Sequence, residues 1–384
     1  MGRSEMTEDN LKERWDSGEG LLFRNPADVR SGPSGLPVLE EGEVGFATSG
    51  TTGEPKVVVH TRNSLEASAR MVLAHLGVER EERWLRALPA FHVGGFGVEL
   101  RAWLLGSQAA ALEGKWSASA FREIVDQRRI HWSSLVPAQV ADLVELGVAA
   151  PDCLRGIVVG GGFLAPALAA RARVLGWPVV ASFGMSEAGS QVATGLPDAP
   201  VGRDLSCLAG WELKTDSGNG VLELKGAALA SGYFVMNKEP RSGAEAWQRV
   251  PLPGEDGWFR SSDVVALGAE GTRLRWTGRI DSAVKILGEL VSLDALQREL
   301  DEAMLEGSHA GSVVVVDVAG SRERELVFVA EEGQETRGLE DLTAQWNTGR
   351  PGFMRVAGIL RVKTLPRSPV GKVLLRKLRE ELTR

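Results

Sequence analysis

Short apolar runs bounded by glycine alternate along the chain with segments of helical periodicity. The runs GFAT, RGIVVGG and WPVVASF end in small or polar residues and predict buried strands. Between the first two, the pattern predicts a helix that is capped at Asn63 or Ser64 and stops at Gly77. Its apolar face consists of Leu65, Ala69, Val72 and Leu76. Such alternation is typical of an α/β fold, in which active groups collect at strand ends.

The pattern changes past about Asp281, where the segments predict a small α+β unit. Its expected elements are a helix with the stripe Leu293, Leu296, Leu300 and Met304, the strands SVVVVDV and ELVFVA, and the helices LEDLTAQW and KVLLRKLREEL. We therefore expect two domains, residues 1–280 and 281–384, with the smaller one at the C-terminal end.

Composition and charge narrow the class of protein. The 384 residues are 43% hydrophobic, which is enough to bury a sizeable core. A net charge of -7 argues against a nucleic-acid-binding protein, because such proteins usually present a basic face. Two cysteines are too few for a disulfide framework or a zinc site. No secretory signal and no apolar run of roughly 20 residues is found, so we expect a soluble cytoplasmic protein.

The stretch TSGTTGEPKVVVH, from Thr48 to His60, is the first candidate for chemistry. It contains four hydroxyl side chains, two glycines and a lysine, of which the candidate phosphate-binding residues are Ser49, Thr51, Thr52, Gly50, Gly53 and Lys56. Glycines let backbone N–H groups turn toward an anion, hydroxyls donate hydrogen bonds, and lysine adds a movable positive charge. This combination suits a polyphosphate, although the spacing is not GxxxxGK[ST]. The alternative is a Gly/Thr-rich hairpin with a surface lysine.

Five further segments combine polar and small residues in a similar way. They are PAFHVGG, which contains His92; SFGMSEAG, which follows a predicted strand; GWFRSSDV; GRIDSAVKILG; and LPRSPVGKVLLRKL, which contains Lys372. Together with the stretch from Thr48, and in this order, they resemble the motifs of the acyl-adenylate-forming enzymes, a family that includes acyl-CoA synthetases. The resemblance runs from about Val44 to the end. It implies a large adenylation domain, shortened at its start, followed by a small mobile domain.

The resemblance assigns ATP to the first stretch, which would hold the β- and γ-phosphates that leave as pyrophosphate. Glu187 would hold Mg²⁺, since carboxylate and phosphate oxygens are ligands that this hard cation prefers. The alternative for Glu187 is a solvent-facing acid beside a strand end. Ser186 would donate to the α-phosphate. The remaining nucleotide-binding residues implied are Gly161, Gly162, Phe183, Gly184, Met185, Asp263 and Arg279; among them, Phe183 would stack on adenine and Asp263 would accept both ribose hydroxyls.

Lys372 is the residue that the resemblance marks most strongly as catalytic. A carboxylate that attacks the α-phosphate brings two anions together, and a bridging cation stabilises that approach. The alternative is an ordinary solvated lysine at a helix start. His92 would lie beside the reacting carboxylate, although a lone histidine in an apolar segment is often a packed core residue. In the CoA-ligase branch of the family, coenzyme A then accepts the acyl group, and Asp281 would be the hinge between the two half-reactions.

The stretches HTRNSLEASA, LPAFHVGGFGVELRAWLLGSQ and SLVPAQVADLVE look most like the o-succinylbenzoate-CoA ligases of menaquinone and phylloquinone synthesis. This acid has two carboxylates, so we expect a mostly apolar pocket with one group for the spare charge. Arg101 is the candidate, and a helix-surface arginine is the alternative. Family members generally carry a longer segment before the phosphate loop, so we also expect that a homo-oligomer covers the gap.

Two other classes of function remain open from the sequence. GMSEA nearly matches the GxSxG nucleophile elbow, and Asp263 and His309 follow Ser186 in the order of a serine hydrolase. That interpretation leaves Lys56 and Lys372 unexplained. The chain could also bind ATP without turnover, as a regulatory or scaffold protein. Other aromatic or aliphatic carboxylates are the alternatives for the acid.

Overall fold

Nine helices and 21 strands lie in the part of the chain that the computed structural model describes, which is residues 11–25, 36–49, 55–236, 247–306, 313–319, 324–332, 339–367 and 373–382. The helices are α1 (Leu11–Ser17), α2 (Arg62–Leu76), α3 (Val93–Leu104), α4 (Ala118–Gln127), α5 (Pro137–Leu146), α6 (Pro166–Val174), α7 (Leu293–Glu306), α8 (Leu339–Asn347) and α9 (Leu375–Leu382). None of them is long and apolar enough to cross a membrane.

The strands fall into four sheets. Before Asp281 they are β1 (Leu21–Phe23), β2 (Glu43–Ser49), β3 (Pro55–Thr61), β4 (Trp84–Arg86), β5 (Ala110–Ala111), β6 (Trp132–Leu135), β7 (Gly156–Val159), β8 (Val179–Met185), β9 (Ser190–Thr194), β10 (Leu205–Cys207), β11 (Glu212–Thr215), β12 (Val221–Lys225), β13 (Gly232–Met236), β14 (Trp247–Pro251), β15 (Phe259–Leu267) and β16 (Arg273–Arg279). After it come β17 (Ala283–Ile286), β18 (Glu289–Ser292), β19 (Val313–Ala319), β20 (Arg324–Glu331) and β21 (Val356–Val362).

The largest sheet combines a parallel half and an antiparallel half. Its order is β11-β12-β15-β16-β10-β9-β8-β7-β6-β4-β5, and β8, β7, β6, β4 and β5 run parallel. Strands β7 and β8 are the predicted runs RGIVVGG and WPVVASF. The helices α4, α5 and α6 pack one face with apolar side chains that include Phe121, Leu143 and Leu168. The α/β prediction is thereby confirmed.

A second sheet brings the stretch from Thr48 to His60, the predicted phosphate loop, against a distant strand. Its order is β1-β2-β3-β13-β14, and β2 pairs with β3 as an antiparallel hairpin in which Thr48 lies opposite Lys56. Strand β13 then pairs with β3, so that Tyr233 lies opposite Val58. The hairpin that composition suggested is therefore present, but Lys56 is part-buried rather than a surface lysine.

Helix α2 follows β3 without a loop. Thr61 is its N-cap, with φ -88° and ψ 158°, and its hydroxyl oxygen accepts a hydrogen bond from the backbone N–H of Ser64. The predicted cap at Asn63 or Ser64 is thus wrong by at least two positions, because β3 pairs up to Thr61 and leaves that residue extended, as a cap requires. Gly77 ends the helix with φ 63°, as predicted.

The segment after Asp281 has apolar clusters of its own. One contains the α7 stripe Leu293, Leu296, Leu300 and Met304 together with β19, β20 and α8. The other packs α9 on the opposite face of β19 and β20. Both clusters use only side chains from Val284 onward. The domain boundary near Asp281 stays a prediction.

Helix α7 joins this segment to the preceding part of the chain. Arg298 donates to the backbone carbonyl oxygens of Trp276 (2.8 Å) and Thr277 (2.6 Å). Arg203 pairs with Glu302 at 2.6 Å, although both side chains are partly exposed and such pairs contribute little stability.

Candidate active site

The acidic turn that carries Glu187 begins where β8 ends. A single 3-10 turn, Ser186–Ala188, follows Met185 and is closed by Gly189 at φ 64°. A Cβ atom at Gly184 would lie 1.7 Å from the carbonyl oxygen of Ser190, so only glycine permits this approach of β8 to β9. The turn therefore has a fixed path, and it holds Glu187 at the end of the parallel half of the large sheet.

Glu187 forms a cluster with Lys56 and Tyr233. Lys56 Nζ lies 2.9 Å from Glu187 Oε1, and the Tyr233 hydroxyl donates to the same oxygen at 2.8 Å. The Lys56 ammonium also lies 4.4 Å from the centre of the Tyr233 ring. The side chain of Glu187 is 13% exposed, so the interpretation as a solvent-facing acid is wrong. A polyphosphate at the hairpin would meet a cation, a carboxylate and a phenol together.

The charge state of Glu187 follows from its neighbours. Burial opposes ionisation, but the positive charge of Lys56 and hydrogen bonds from Lys56 and Tyr233 outweigh it and lower the pKa of Glu187. The side chain is therefore a carboxylate at neutral pH. Burial and the nearby charge of Glu187 raise the pKa of Tyr233, so that its hydroxyl stays protonated and donates.

The residues around Glu187 fit a magnesium ion that is held mainly by substrate. Among the described residues, no three His, Cys, Asp or Glu side chains cluster in a way that could hold a metal ion by themselves. Mg²⁺ is commonly bound by one or two carboxylates together with substrate phosphates and waters. One ionised, part-buried carboxylate beside the hairpin that is predicted to bind phosphates matches that arrangement. Glu187 would hold the ion, which would neutralise charge on the phosphates.

Asp263 and Arg279 lie opposite each other on β15 and β16. Trp276 Nε1 donates to Asp263 Oδ1 at 2.8 Å, and Arg279 approaches Oδ2 at 3.5 Å. Burial raises the pKa of Asp263 against the opposing effects of Arg279 and Trp276, and the charge of Glu187 adds to the rise. Asp263 and Glu187 therefore share one electrostatic environment, which a bound nucleotide could span.

The predicted hinge residue is part of the same network. Asp281 lies in a 3-10 turn after β16 and accepts two hydrogen bonds of 2.8 Å from Arg279. Asp294, in the first turn of α7, accepts from the backbone N–H of Arg279 at 3.1 Å and from the Ser282 hydroxyl. The contacts of Asp294 were not predicted, since they join segments that form separate elements.

Two candidate substrate residues lie on α3. His92 is its N-cap residue, and its Nε2 atom is buried without a hydrogen-bond partner among the described residues. Burial lowers the pKa of His92. Arg101 is 1% exposed, so the interpretation as a surface arginine is wrong.

The guanidinium of Arg101 has few partners for a buried cation. Nε donates to the carbonyl oxygen of Gly97 at 2.6 Å, the group lies 4.6 Å from the Trp84 ring centre, and Nη1 has no partner among the described residues. Burial lowers the pKa of Arg101 to about 9. A Cβ atom at Gly97 would lie 3.1 Å from Arg101 Nη2 and 3.8 Å from Ser190 Oγ, so glycine leaves room between these groups. An anion bound in this space would accept a hydrogen bond from Nη1 of Arg101 and balance its charge.

The remaining predicted nucleotide residues follow β7 or lie on β8. Gly161 has φ 74°, which favours glycine, and Gly162 follows it, exposed. Phe183 and Met185 are half-buried on β8. The backbone of Ser49 ends β2. Gly50, Thr51, Thr52, Gly53, His309 and Lys372 lie outside the described residues.

Sequence reasoning missed Tyr233. It is the single tyrosine of the chain, and it meets Glu187 only because β13 pairs with β3 across more than 170 residues. The signal that was available is a lone aromatic with a polar tip in a strand-like segment, and that signal is weak.

Known proteins resemble this chain in sequence and in fold. A 2-succinylbenzoate-CoA ligase of Listeria monocytogenes is 27% identical over 338 residues, which are 87% of this chain and 68% of that protein. One from Staphylococcus aureus is 31% identical over 61% of this chain, and the match spans only 46% of that protein. The Bacillus subtilis o-succinylbenzoate coenzyme A synthetase, solved with ATP and magnesium, has a TM-score of 0.71 at 24% identity and covers 87% of this chain and 69% of its own.

The family comparison agrees with these relatives. The AMP-binding enzyme family matches residues 46–234, a range that holds the phosphate-loop hairpin, α3 and the acidic turn. By this match and by these relatives, the chain resembles the AMP-binding enzyme family.

Proposed function

We propose that the protein is an AMP-forming acid-CoA ligase that converts a carboxylic acid to its adenylate and then to a coenzyme A thioester. The observation that carries this proposal is the Lys56–Glu187–Tyr233 cluster, which joins the phosphate-loop hairpin to the acidic turn. The names of the relatives support the same chemistry. A serine hydrolase receives no such support.

In the first half-reaction, a carboxylate oxygen of the acid attacks the α-phosphorus of ATP. The bond between that phosphorus and the oxygen bridging to the β-phosphate breaks, and pyrophosphate leaves with the electron pair. Lys56 would hold the departing phosphates. Glu187 would hold the magnesium ion that offsets their charge, and Ser186 would donate a hydrogen bond to the α-phosphate. Asp263 and Arg279 would hold the ribose. Lys372 would bridge the two anions as they meet.

In the second half-reaction, the thiolate of coenzyme A attacks the acyl carbon, and AMP leaves. We propose that residues 281–384 move about Asp281 between the two steps, as a domain distinct from residues 1–280. We also place the activity in the cytoplasm, because Cys153 and Cys207 are free and free thiols persist in reducing compartments.

For the acid, we propose o-succinylbenzoate. Arg101 supports a second negative charge on the substrate: its Nη1 atom has no partner among the described residues, and a buried guanidinium left so costs free energy unless an anion joins it. His92 would contact the reacting carboxylate. The names of the Listeria and Staphylococcus relatives state that those proteins act on this acid.

Pyrophosphate release from purified protein with ATP and Mg²⁺ tests this proposal. We expect release that depends on o-succinylbenzoate, and a thioester once coenzyme A is added. Two truncated acids serve as matched controls: 3-benzoylpropionate lacks the ring carboxylate, and 2-butyrylbenzoate lacks the side-chain carboxylate. Both should react less well. Release with other acids alone would refute the substrate and keep the chemistry, whereas no release with any acid would favour a protein that only binds the nucleotide.

Replacing Arg101 with leucine is expected to raise the KM for o-succinylbenzoate by about 10- to 100-fold, which corresponds to the loss of a hydrogen bond to a charged group, roughly 1.5–3 kcal/mol. The KM for ATP should not change. Since the variant removes a buried cation that has few partners among the described residues, we expect its Tm to stay the same or to rise. The exposed helix residue Arg70 provides the control Arg70→Leu. An equal rise of KM in both variants would contradict the role of Arg101.

A further inference from the structure

His60 is a buried histidine whose two ring nitrogens both have hydrogen-bond partners. It lies on β3, four residues after Lys56, and is fully buried. Its Nε2 atom is 2.7 Å from the carbonyl oxygen of Ser186, and its Nδ1 atom is 3.0 Å from Ser64 Oγ. The ring of Phe46 packs against it edge to face, with ring centres 6.3 Å apart.

These partners determine the tautomer of His60. A carbonyl oxygen can only accept a hydrogen bond, so Nε2 carries the proton and donates to Ser186. Nδ1 is then an acceptor, and the Ser64 hydroxyl can donate its one proton either to Nδ1 or to the carbonyl oxygen of Thr61, each 3.0 Å away. Burial lowers the pKa of His60 to about 4, which keeps the ring neutral at neutral pH. The imidazole is therefore a fixed bridge between the start of α2 and the acidic turn.

The carbonyl that His60 binds belongs to the first residue of that turn. The Ser186 carbonyl oxygen also accepts from the backbone N–H of Gly189 at 3.2 Å, and the next carbonyl, that of Glu187, accepts from Ala230 at 2.8 Å. The peptide planes on both sides of Glu187 are thus held. His60 is the one side chain among these three donors, so it can be removed without changing the backbone.

We propose that His60 is a positioning residue, which donates from Nε2 to the Ser186 carbonyl oxygen and so fixes the turn that presents Glu187 to a metal-bound nucleotide. The catalytic consequence rests on the function proposed above. The turn carries both the Ser186 hydroxyl and the Glu187 carboxylate, so a shift of this one peptide moves two groups together. A displacement of 1 Å in such a group can lower a rate by about 100-fold.

Two substitutions separate the hydrogen bond from packing. In His60→Gln, an amide N–H can reach the Ser186 carbonyl oxygen, whereas His60→Leu fills similar volume without a donor. We expect His60→Leu to lower kcat for pyrophosphate release by about 10- to 100-fold and to weaken binding of Mn²⁺ with a non-hydrolysable ATP analogue by about tenfold, while His60→Gln recovers most of both losses. The KM for the acid should not change. Mn²⁺ binding is read by electron paramagnetic resonance.

His75→Leu is the matched control. His75 Nε2 also donates to a backbone carbonyl oxygen, that of Thr194 at 2.9 Å, but this carbonyl lies outside the acidic turn. We expect unchanged Mn²⁺ and nucleotide binding in that variant. If His60→Leu does not fold, Ser64→Ala keeps the imidazole and removes its Nδ1 partner, and should give a smaller loss in the same direction.

The outcomes distinguish this inference from the proposed function. If wild-type protein releases no pyrophosphate with any acid, the proposed function fails. The comparison of Mn²⁺ and nucleotide binding in His60→Leu and His60→Gln then still tests whether His60 positions the acidic turn. Equal binding in wild type and a folded His60→Leu overturns the inference, and so does a glutamine variant no better than leucine. Wild-type protein that does not bind Mn²⁺ with the analogue overturns both proposals.

Discussion

Replacing Lys372 with alanine is expected to lower the rate constant for acid-dependent pyrophosphate release by about 100- to 1,000-fold, the loss typical of removing one group that stabilises developing charge. The attacking carboxylate and the α-phosphate are both anionic, and a cation between them acts most strongly as they meet. Binding of ATP should change little, because Lys56 and the groups around Glu187 would hold the other phosphates in the proposed function. Single-turnover measurement of pyrophosphate release, with ATP affinity determined separately, checks both statements.

The chain on both sides of Lys372 is anchored. Arg367 and Val373 form an isolated antiparallel bridge, and α9 begins at Leu375. Leu378 is fully buried against β19 and β20, and Arg379 pairs with the buried Asp317. These contacts anchor Arg367 and residues 373–382, so a change at Lys372 itself should leave the fold intact.

The exposed residue Lys377 on α9 provides the control, because Lys377→Ala removes the same charge five residues further along the chain. We expect that variant to release pyrophosphate at the wild-type rate. Thioester formation from chemically prepared acyl-adenylate and coenzyme A should also persist in Lys372→Ala, since the proposed role of the lysine lies in the first half-reaction. Wild-type activity of Lys372→Ala, or an equal loss in both half-reactions, would contradict the assignment.

Local periodicity predicted the elements of the fold well. The stripe of α2 (Leu65, Ala69, Val72 and Leu76) and the stripe of α7 are all buried where the pattern placed them. Both depend only on side chains within one helix, which the 3.6-residue repeat brings to one face. The N-cap of α2 was misplaced because it depends on how far β3 stays paired with β2, and pairing is a property of two segments.

The site was predicted less completely because its contacts are long-range. Glu187 and Lys56 were assigned to neighbouring roles through motif resemblance, and the structure brings them within 2.9 Å. The role of Tyr233 depends on the pairing of β13 with β3, and that of His60 on a contact across 126 residues. Arg101 was left open, although Gly97, one turn before it, was a local signal of room for a guanidinium in an apolar helix.

Replacing Glu187 with glutamine is expected to lower kcat for pyrophosphate release by about 100-fold or more, because the substitution keeps the shape of the side chain and removes the negative charge that would hold the metal. Lys56 would lose its ion-pair partner, and the Tyr233 hydroxyl would donate to a neutral amide oxygen instead of a carboxylate. Raising the Mg²⁺ concentration should recover part of the loss, as a weaker site fills again. Rates measured at increasing Mg²⁺, with fixed ATP, check this expectation.

The Glu187→Gln substitution should also change how the Tm of the protein depends on pH. The pKa of Glu187 is lowered in the folded protein, so its ionised form stabilises the fold above the pKa of the unfolded chain, and that contribution is lost as pH falls through the lower folded value. We therefore expect wild type to exceed Glu187→Gln in Tm at pH 7, with a difference that shrinks in acid. Glu212→Gln, at an exposed position on β11, should show neither effect. If wild type and Glu187→Gln differ in Tm by the same amount at pH 7 and in acid, the Glu187 carboxylate is not ionised within the cluster. That result would contradict the proposed binding of magnesium by Glu187.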